Sequence, residues 1–193
     1  MTPPRIRRPP EEARLLILNA AAALLAEGGA PAVQVRAVAA RVGMTDTGVT
    51  HHFQNRDNLL QELLRHGGRQ LRTALQTAIA SWLEDSADLH ALVQAFADVY
   101  NQGYGELAIA LHAAGWRDTG SGMLDPVVDA LHQLRPATAS LTDTRLAVAA
   151  LHQAMATESL YGPAFRRSAG LTTSTSADQL TWWTRQLHLA LDL

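Results

Sequence analysis

The stretch that decides the fold is Val35–Asn58, VRAVAARVGMTDTGVTHHFQNRDN. Val35, Val38, Ala39 and Val42 recur at the one-face spacing of a short amphipathic helix. Gly43 follows, placed to close that helix in the left-handed conformation that only glycine adopts without a Cβ penalty. Thr45 can then cap a second helix, its hydroxyl taking an orphan backbone N–H. Within that helix Val49 and Phe53 lie four apart and face inward, which leaves Asp46, Thr47, Thr50 and His51 outside. Two short helices joined by a tight glycine-containing turn form a helix-turn-helix, and the second helix of such a unit can enter a DNA major groove.

Upstream, Glu11–Glu27 reads as one helix. Acidic residues suit its N-terminus, Leu15, Leu18, Ala22 and Leu25 make its expected inner stripe, and Gly28-Gly29 end it. Before it, Pro3–Pro10 is proline-rich and charged, the composition of a disordered arm. Two readings of that arm stand side by side: a basic strand laid on DNA phosphates or in a minor groove, and a solvated tail.

The stretch resembles the TetR family of bacterial transcriptional regulators. The resemblance runs from about Arg14 to about Leu64 and rests on Ile17, Leu18, Ala21, Leu24, Leu25 and Gly28, on Val38-Ala39, and on Gly43-Met44-Thr45. Its most specific part is His52-Phe53-Gln54-Asn55-Arg56-Asp57-Asn58-Leu59-Leu60, similar to the family ending HF-x-(S/N)-(K/R)-(E/D)-x-LL. Two positions depart from the pattern. Thr50 stands where the family usually has a phosphate-contacting Tyr, and the acidic Asp46 occupies a common DNA-facing position.

The resemblance implies an all-α protein of about nine helices. It would comprise an arm over residues 1–10, a three-helix helix-turn-helix domain over 11–57, and a helical effector-binding and dimerisation domain over 58–193. It also implies DNA roles by position. Arg36 matches a residue that reaches a base edge, and bidentate Arg to guanine is the commonest specific contact. Thr45, Asp46, Thr47, Gly48, Thr50 and His51 fall on the recognition helix, where Asp46 can accept from a cytosine amino group, Thr47 can touch a thymine methyl, and Gly48 permits close backbone approach. His52 and Arg56 match phosphate-contacting positions. Asp46 is equally a good first-turn residue, and Arg56 can pair with neighbouring carboxylates.

Composition sets the outer limits. The chain has 193 residues, 47% hydrophobic and 18% charged, which is an ordinary globular balance. It has no cysteine, so disulfides and thiol catalysis are excluded. Net charge is −2, unlike a bulk nucleic-acid coat, but the charge is unevenly placed. The first 65 residues hold eight arginines against six carboxylates, and the rest hold eight against twelve. Every basic residue counted is Arg, and there is no Lys. No apolar signal core follows the N-terminal arginines, and the uncharged run Leu15–Ala26 falls short of the ~20 residues that span a bilayer. A cytoplasmic protein with no membrane partner is expected. His51 and His52 are adjacent, about a hundred degrees apart on a helix, so they cannot chelate one ion together, and no HExxH occurs. No metal and no cofactor are expected.

Downstream, a fourth helix is predicted from Arg56 to about Trp82, with Gly67-Gly68 inside it as a hinge or a tolerated surface break. Asp85-Ser86 start the next, ending at Tyr100, and Glu106–Trp116 and Leu124–Leu134 follow. Asp143–Tyr161 is long and alanine-rich, with Leu146, Ala149, Ala150, Met155 and Leu160 as its apolar positions. Arg166–Thr175 reads as a loop, and Ser176 or Asp178 caps a last helix carrying Leu180, Trp183, Leu187 and Leu191. No strand alternation appears.

In the resemblance, the last two long helices of each subunit make a homodimer interface, and a small-molecule effector lies between helices of the second domain. Candidate lining residues are Phe96, Tyr100, Tyr104, His112, Trp116, Met155 and Glu158, although aromatics at helical spacing equally build a core. The expected function is therefore a homodimeric repressor released from double-stranded operator DNA by a small molecule. The alternative is a DNA-independent small-molecule-binding or adaptor protein on the same scaffold, which Thr50, Asp46 and the absence of lysine keep open. An enzyme is not expected: Glu158 and His152, six residues apart, do not share a helix face.

Overall fold

Every regular element among the described residues, 9–80 and 88–193 of a computed structural model, is helical. The order is α1 (Pro10–Ala32), α2 (Val35–Val42), α3 (Asp46–Phe53), α4 (Arg56–Ala80), α5 (Leu89–Val99), α6 (Gly105–Ala113), α7 (Asp125–Gln133), α8 (Leu141–Ser168) and α9 (Ser176–Leu191). The expected arm up to residue 8, the expected end of α4 at Trp82 and the helix start at Asp85-Ser86 lie outside the described residues. The chain divides into two compact units, Met1–His66 and Gly67–Leu193, so the seam runs inside α4.

In the first unit, α1 buries Ala13, Ile17, Ala21 and Leu25 at successive four-residue steps, with Leu18 and Ala20 beside them. The expected stripe is therefore corrected at one end. Leu15 is 51% exposed, because it lies two residues off the ladder and about 200° round the helix from Ile17. The chain leaves helical geometry at Gly28 and Gly29, then makes one further turn before α2. By length and composition alone α1 passes for a membrane span, with a mean hydropathy of 1.5 over its best window. Its apolar ladder is instead part of a core shared with Val33, Val38, Ala39, Val49 and Phe53.

In the second unit, α5 packs on α8 and α9, while α6 and α7 pack on α8. A π-helical turn, Tyr100–Tyr104, joins α5 to α6. Gly67 is not a surface break. It is buried under the ring of Tyr104, and a Cβ there would stand 2.4 Å from that ring's Cδ1 and Cε1.

Helix α8 departs most from expectation. It runs seven residues past Tyr161, through Pro163, and absorbs Arg166 and Arg167 from the expected loop. An interior proline costs roughly 3 kcal/mol through the lost hydrogen bond and ring clash. Here the turn is held by an ion pair across it, Glu158 to Arg166, with side chains only 14% and 8% exposed. The inner face of α8 is Thr144, Val148, Leu151, Met155 and Gly162, whereas Leu146, Ala149, Ala150 and Leu160 point outward. The cap of α9 is Thr175 rather than Ser176 or Asp178: Thr175 accepts from the Asp178 N–H at 3.3 Å, and its own N–H donates to the Asp178 carboxylate at 2.7 Å.

Candidate DNA interface

The turn between α2 and α3 is built as the sequence requires. Gly43 sits at φ 67°, ψ 34°, and closes α2. Thr45 Oγ1 accepts from the Gly48 N–H at 3.1 Å and opens α3. Val49 and Phe53 are buried, which fixes the rotation of α3 and turns Asp46, Thr47 and His51 to solvent. Arg36 is exposed in the first turn of α2, with no hydrogen-bond or ion-pair partner among the described residues. An unpaired guanidinium beside an exposed helix of polar side chains is free to meet a phosphate or a base edge.

Three candidates are placed differently from the sequence expectation. Arg56 turns inward: Nε donates to the Val33 carbonyl at 2.8 Å and a terminal nitrogen to the Ala30 carbonyl at 2.7 Å. It ties the end of α1 and the link to α2 to the start of α4. The Thr50 hydroxyl turns back, donating to the carbonyls of Asp46 and Thr47 at 3.1 and 3.2 Å. Gly48 is half-buried, and a Cβ there would meet the Met44 side chain at 3.2 Å, so the side a side chain would occupy is filled by the turn rather than open.

His52 is half-buried, in edge contact with His51 at 5.6 Å between ring centroids. Burial holds its pKa below the usual imidazole value, with His51 and Arg14 adding repulsion. Near neutral pH it therefore offers an N–H to an anion rather than a full charge. Sequence reasoning missed Arg14 in this role. It reaches from α1 to donate to the His52 carbonyl, 38 residues away, and lies 4.5 Å over the Phe53 ring.

The family model for bacterial regulatory proteins of the tetR family matches residues 17–63, a span that includes all of α2 and α3. Residues 17–63 carry the helix-turn-helix of the TetR family. The curated HTH-type transcriptional repressor KstR2 of Rhodococcus jostii (strain RHA1) is 31% identical over 96 residues, which is 50% of this chain and 47% of that protein. The match thus spans about half the length of that relative. The solved fatty acid degradation regulator FadR from Bacillus halodurans shares the fold at 16% identity, with a TM-score of 0.52 over 96% of each chain.

In the second unit, some of the expected lining residues come together and others do not. Phe96 and Tyr100 of α5 and the π turn meet His152 of α8 at 5.7 and 5.6 Å between ring centroids. The Tyr100 hydroxyl is hydrogen-bonded to His152 Nε2. Burial raises the Tyr100 pKa and lowers that of His152, so both are neutral and the pair needs no counter-ion. Met155, one turn along α8, is buried on the same helix. Tyr104 is buried against Gly67 and donates to Gln70 Oε1 at 2.9 Å. Glu158 is committed to Arg166 and accepts from Ser176 Oγ at 3.0 Å, so it is a structural carboxylate. His112 is exposed in the last turn of α6, and Trp116 lies beyond its end. The π turn was the signal sequence reading could not see, since its five residues carry no periodicity of their own.

Proposed function

We propose that this chain is a ligand-responsive transcriptional regulator, a cytoplasmic homodimer that represses by occupying double-stranded operator DNA and releases it when a small molecule binds the second unit. The observation that carries the reading is the family helix-turn-helix with a capped α3 whose Asp46, Thr47 and His51 are exposed beside an unpaired Arg36. Repression is named because the curated relative is a repressor over a matched half. Arg36 is assigned to a base edge, and Asp46, Thr47 and His51 to the groove, with Thr45 and Thr50 shaping the helix from within. His52 donates to a phosphate.

Support for the homodimer comes from a second apolar stripe. Leu146, Phe165, Trp182 and Leu189, on α8 and α9, are 63%, 64%, 42% and 77% exposed. Small residues at Ala149 and Ala150 on the same face allow helices to approach closely. The effector is assigned to the Phe96, Tyr100, His152 and Met155 group, an apolar set with one neutral polar pair. By binding one arrangement of the dimer preferentially it shifts the population away from the DNA-competent one.

The test is a titration of the purified protein against its own upstream DNA and a scrambled duplex at two salt concentrations. Selective binding with a steep salt dependence is expected. Equal, weak binding to both duplexes would sink the reading. Arg36→Ala should cost about 1–3 kcal/mol and relax preference at one base pair. Equal weakening on every sequence would make Arg36 a backbone contact instead.

A further inference from the structure

The C-terminal end of α3 is gripped by a set of groups that the DNA-facing side does not use. Arg14 of α1 donates to the backbone carbonyl of His52, in the last turn of α3. The same guanidinium covers the Phe53 ring at 4.5 Å and pairs with Glu62 of α4 at 3.6 Å. Glu62 is held in turn by Arg65 at 2.5 Å. These residues, with Gln54, Asn58 and Gln61, line a half-open groove of about 280 Å³. Directly beyond the gripped turn, Gln54 adopts φ 67°, ψ −57°, the one residue other than glycine between Pro9 and Ala80 with positive φ. A side chain in that region is strained, and the conformation persists only where its surroundings hold it.

We propose that Arg14 is the positioning residue of the recognition helix: through the His52 carbonyl, the Phe53 ring and Glu62 it fixes the end of α3 and the reversal into α4, so that α3 is presented to DNA already ordered. The proposal rests on the DNA-binding reading above. A cation at a helix C-terminus also meets the negative end of the helix dipole, so its charge and its fork of donors act in the same place. Arg14 gives one donor to the His52 carbonyl and pairs with Glu62, and it is not itself assigned a phosphate. Preorganisation of this kind raises affinity by lowering what must be ordered on binding.

The test compares the full-length wild type with Arg14→Met, which keeps cover over Phe53 but removes the donors, and Arg14→Lys, which restores only the charge. The probe is a duplex selected from a random-sequence pool by the wild type, titrated at several salt concentrations, with His52 followed by ring-proton NMR against pH. Arg14→Met should bind about tenfold more weakly, the order of a lost charged hydrogen bond, with an unchanged salt slope. Its His52 pKa should rise, because the repelling cation is gone. Arg14→Lys should return the His52 pKa towards wild type but recover affinity only in part.

Undiminished affinity in Arg14→Met would overturn the proposal, as would a salt slope smaller by about one, the mark of a lost phosphate contact. If Arg14→Met does not fold, Glu62→Gln loosens the same grip from the far side and should weaken DNA binding to a lesser degree with an unchanged salt slope; undiminished affinity overturns the proposal. If the wild type itself selects no sequence, the DNA-binding reading fails on its own. The amide resonances of Asp46–Phe53 in the free chain then decide the positioning, and unmoved resonances in Arg14→Met refute it.

Discussion

The two units handle polar groups in opposite ways. In the first, the polar side chains at the business end are left open: Arg36, Asp46, Thr47 and His51 face solvent, and interior ties such as Arg56 use backbone carbonyls. In the second, polar groups are paired with one another out of water: Glu158 with Arg166, Tyr100 with His152, His132 with Thr144 at 3.1 Å. A unit that reads a polyanion must keep its donors free for it. A unit proposed to change arrangement around a small molecule needs polar contacts that exist in one packing and can be exchanged in another. The lesson is that the second unit should be the one that single side chains can break.

The largest test of that contrast is Glu158→Ala. It leaves the Arg166 guanidinium buried without its ion-pair partner, and Arg166 Nε already lacks a hydrogen bond among the described residues. Removing one member of a buried pair costs about 3–5 kcal/mol. Urea unfolding followed by circular dichroism should show that loss. A double replacement, Glu158→Met with Arg166→Leu, should recover most of it. If Glu158→Ala is neutral, the pair is solvated in solution and the contrast between the units weakens.

Gly67→Ala sharpens the same point with a smaller effect. Alanine is the better helix former by about 1 kcal/mol, so an exposed glycine in α4 would gain from the change. At Gly67 the new methyl would lie 2.4 Å from the Tyr104 ring, and overpacking costs about 1–3 kcal/mol. Net destabilisation is expected at Gly67. At Gly68, where the nearest group is the flexible Met123 sulfur at 3.1 Å, a neutral or slightly favourable change is expected. Thermal unfolding of the two variants side by side gives the answer; equal behaviour would mean that the Tyr104 packing is loose.

How much of this was legible in the sequence follows the same division. Gly43 and Thr45 declare the turn because their roles depend only on local backbone geometry, and Val49 and Phe53 declare a face because four residues make one helical step. Local rules fail where the partner is remote. Arg56 read as an outward basic residue because nothing in its neighbourhood reveals the carbonyls of Ala30 and Val33. Leu15 was drawn into the stripe of α1 because an almost wholly apolar helix has no polar face to orient it. Pro163 and the run after it look like a stop, and only the Glu158–Arg166 pair explains why α8 continues. Tyr100 and His152 are 52 residues apart, and their pairing carries no pattern at all.

In the first unit, where side chains are open and backbone geometry dominates, effects should be smaller and confined to the turn. Thr45→Ala removes the cap of α3 and should cost about 1 kcal/mol. The loss should appear in hydrogen exchange of the α3 amides before it appears in global unfolding. A loss spread evenly over both units would contradict the local character claimed for this end of the molecule.

Gln54→Gly is expected to have the smallest effect and the opposite sign. Gln54 holds φ at 67°, where a side chain is strained and glycine is not. Its side chain gives something back, since Gln54 Oε1 accepts from Asn58 Nδ2 at 3.1 Å. That bond is exposed and contributes less than the ~1 kcal/mol typical of a buried one. The strain relieved is roughly 1–2 kcal/mol, offset in part by the greater freedom of glycine in the unfolded chain. Net stabilisation of under about 1 kcal/mol is therefore expected in urea unfolding. A destabilised Gln54→Gly would mean that the bond to Asn58, rather than the grip of Arg14 on the turn before it, is what holds the reversal between α3 and α4.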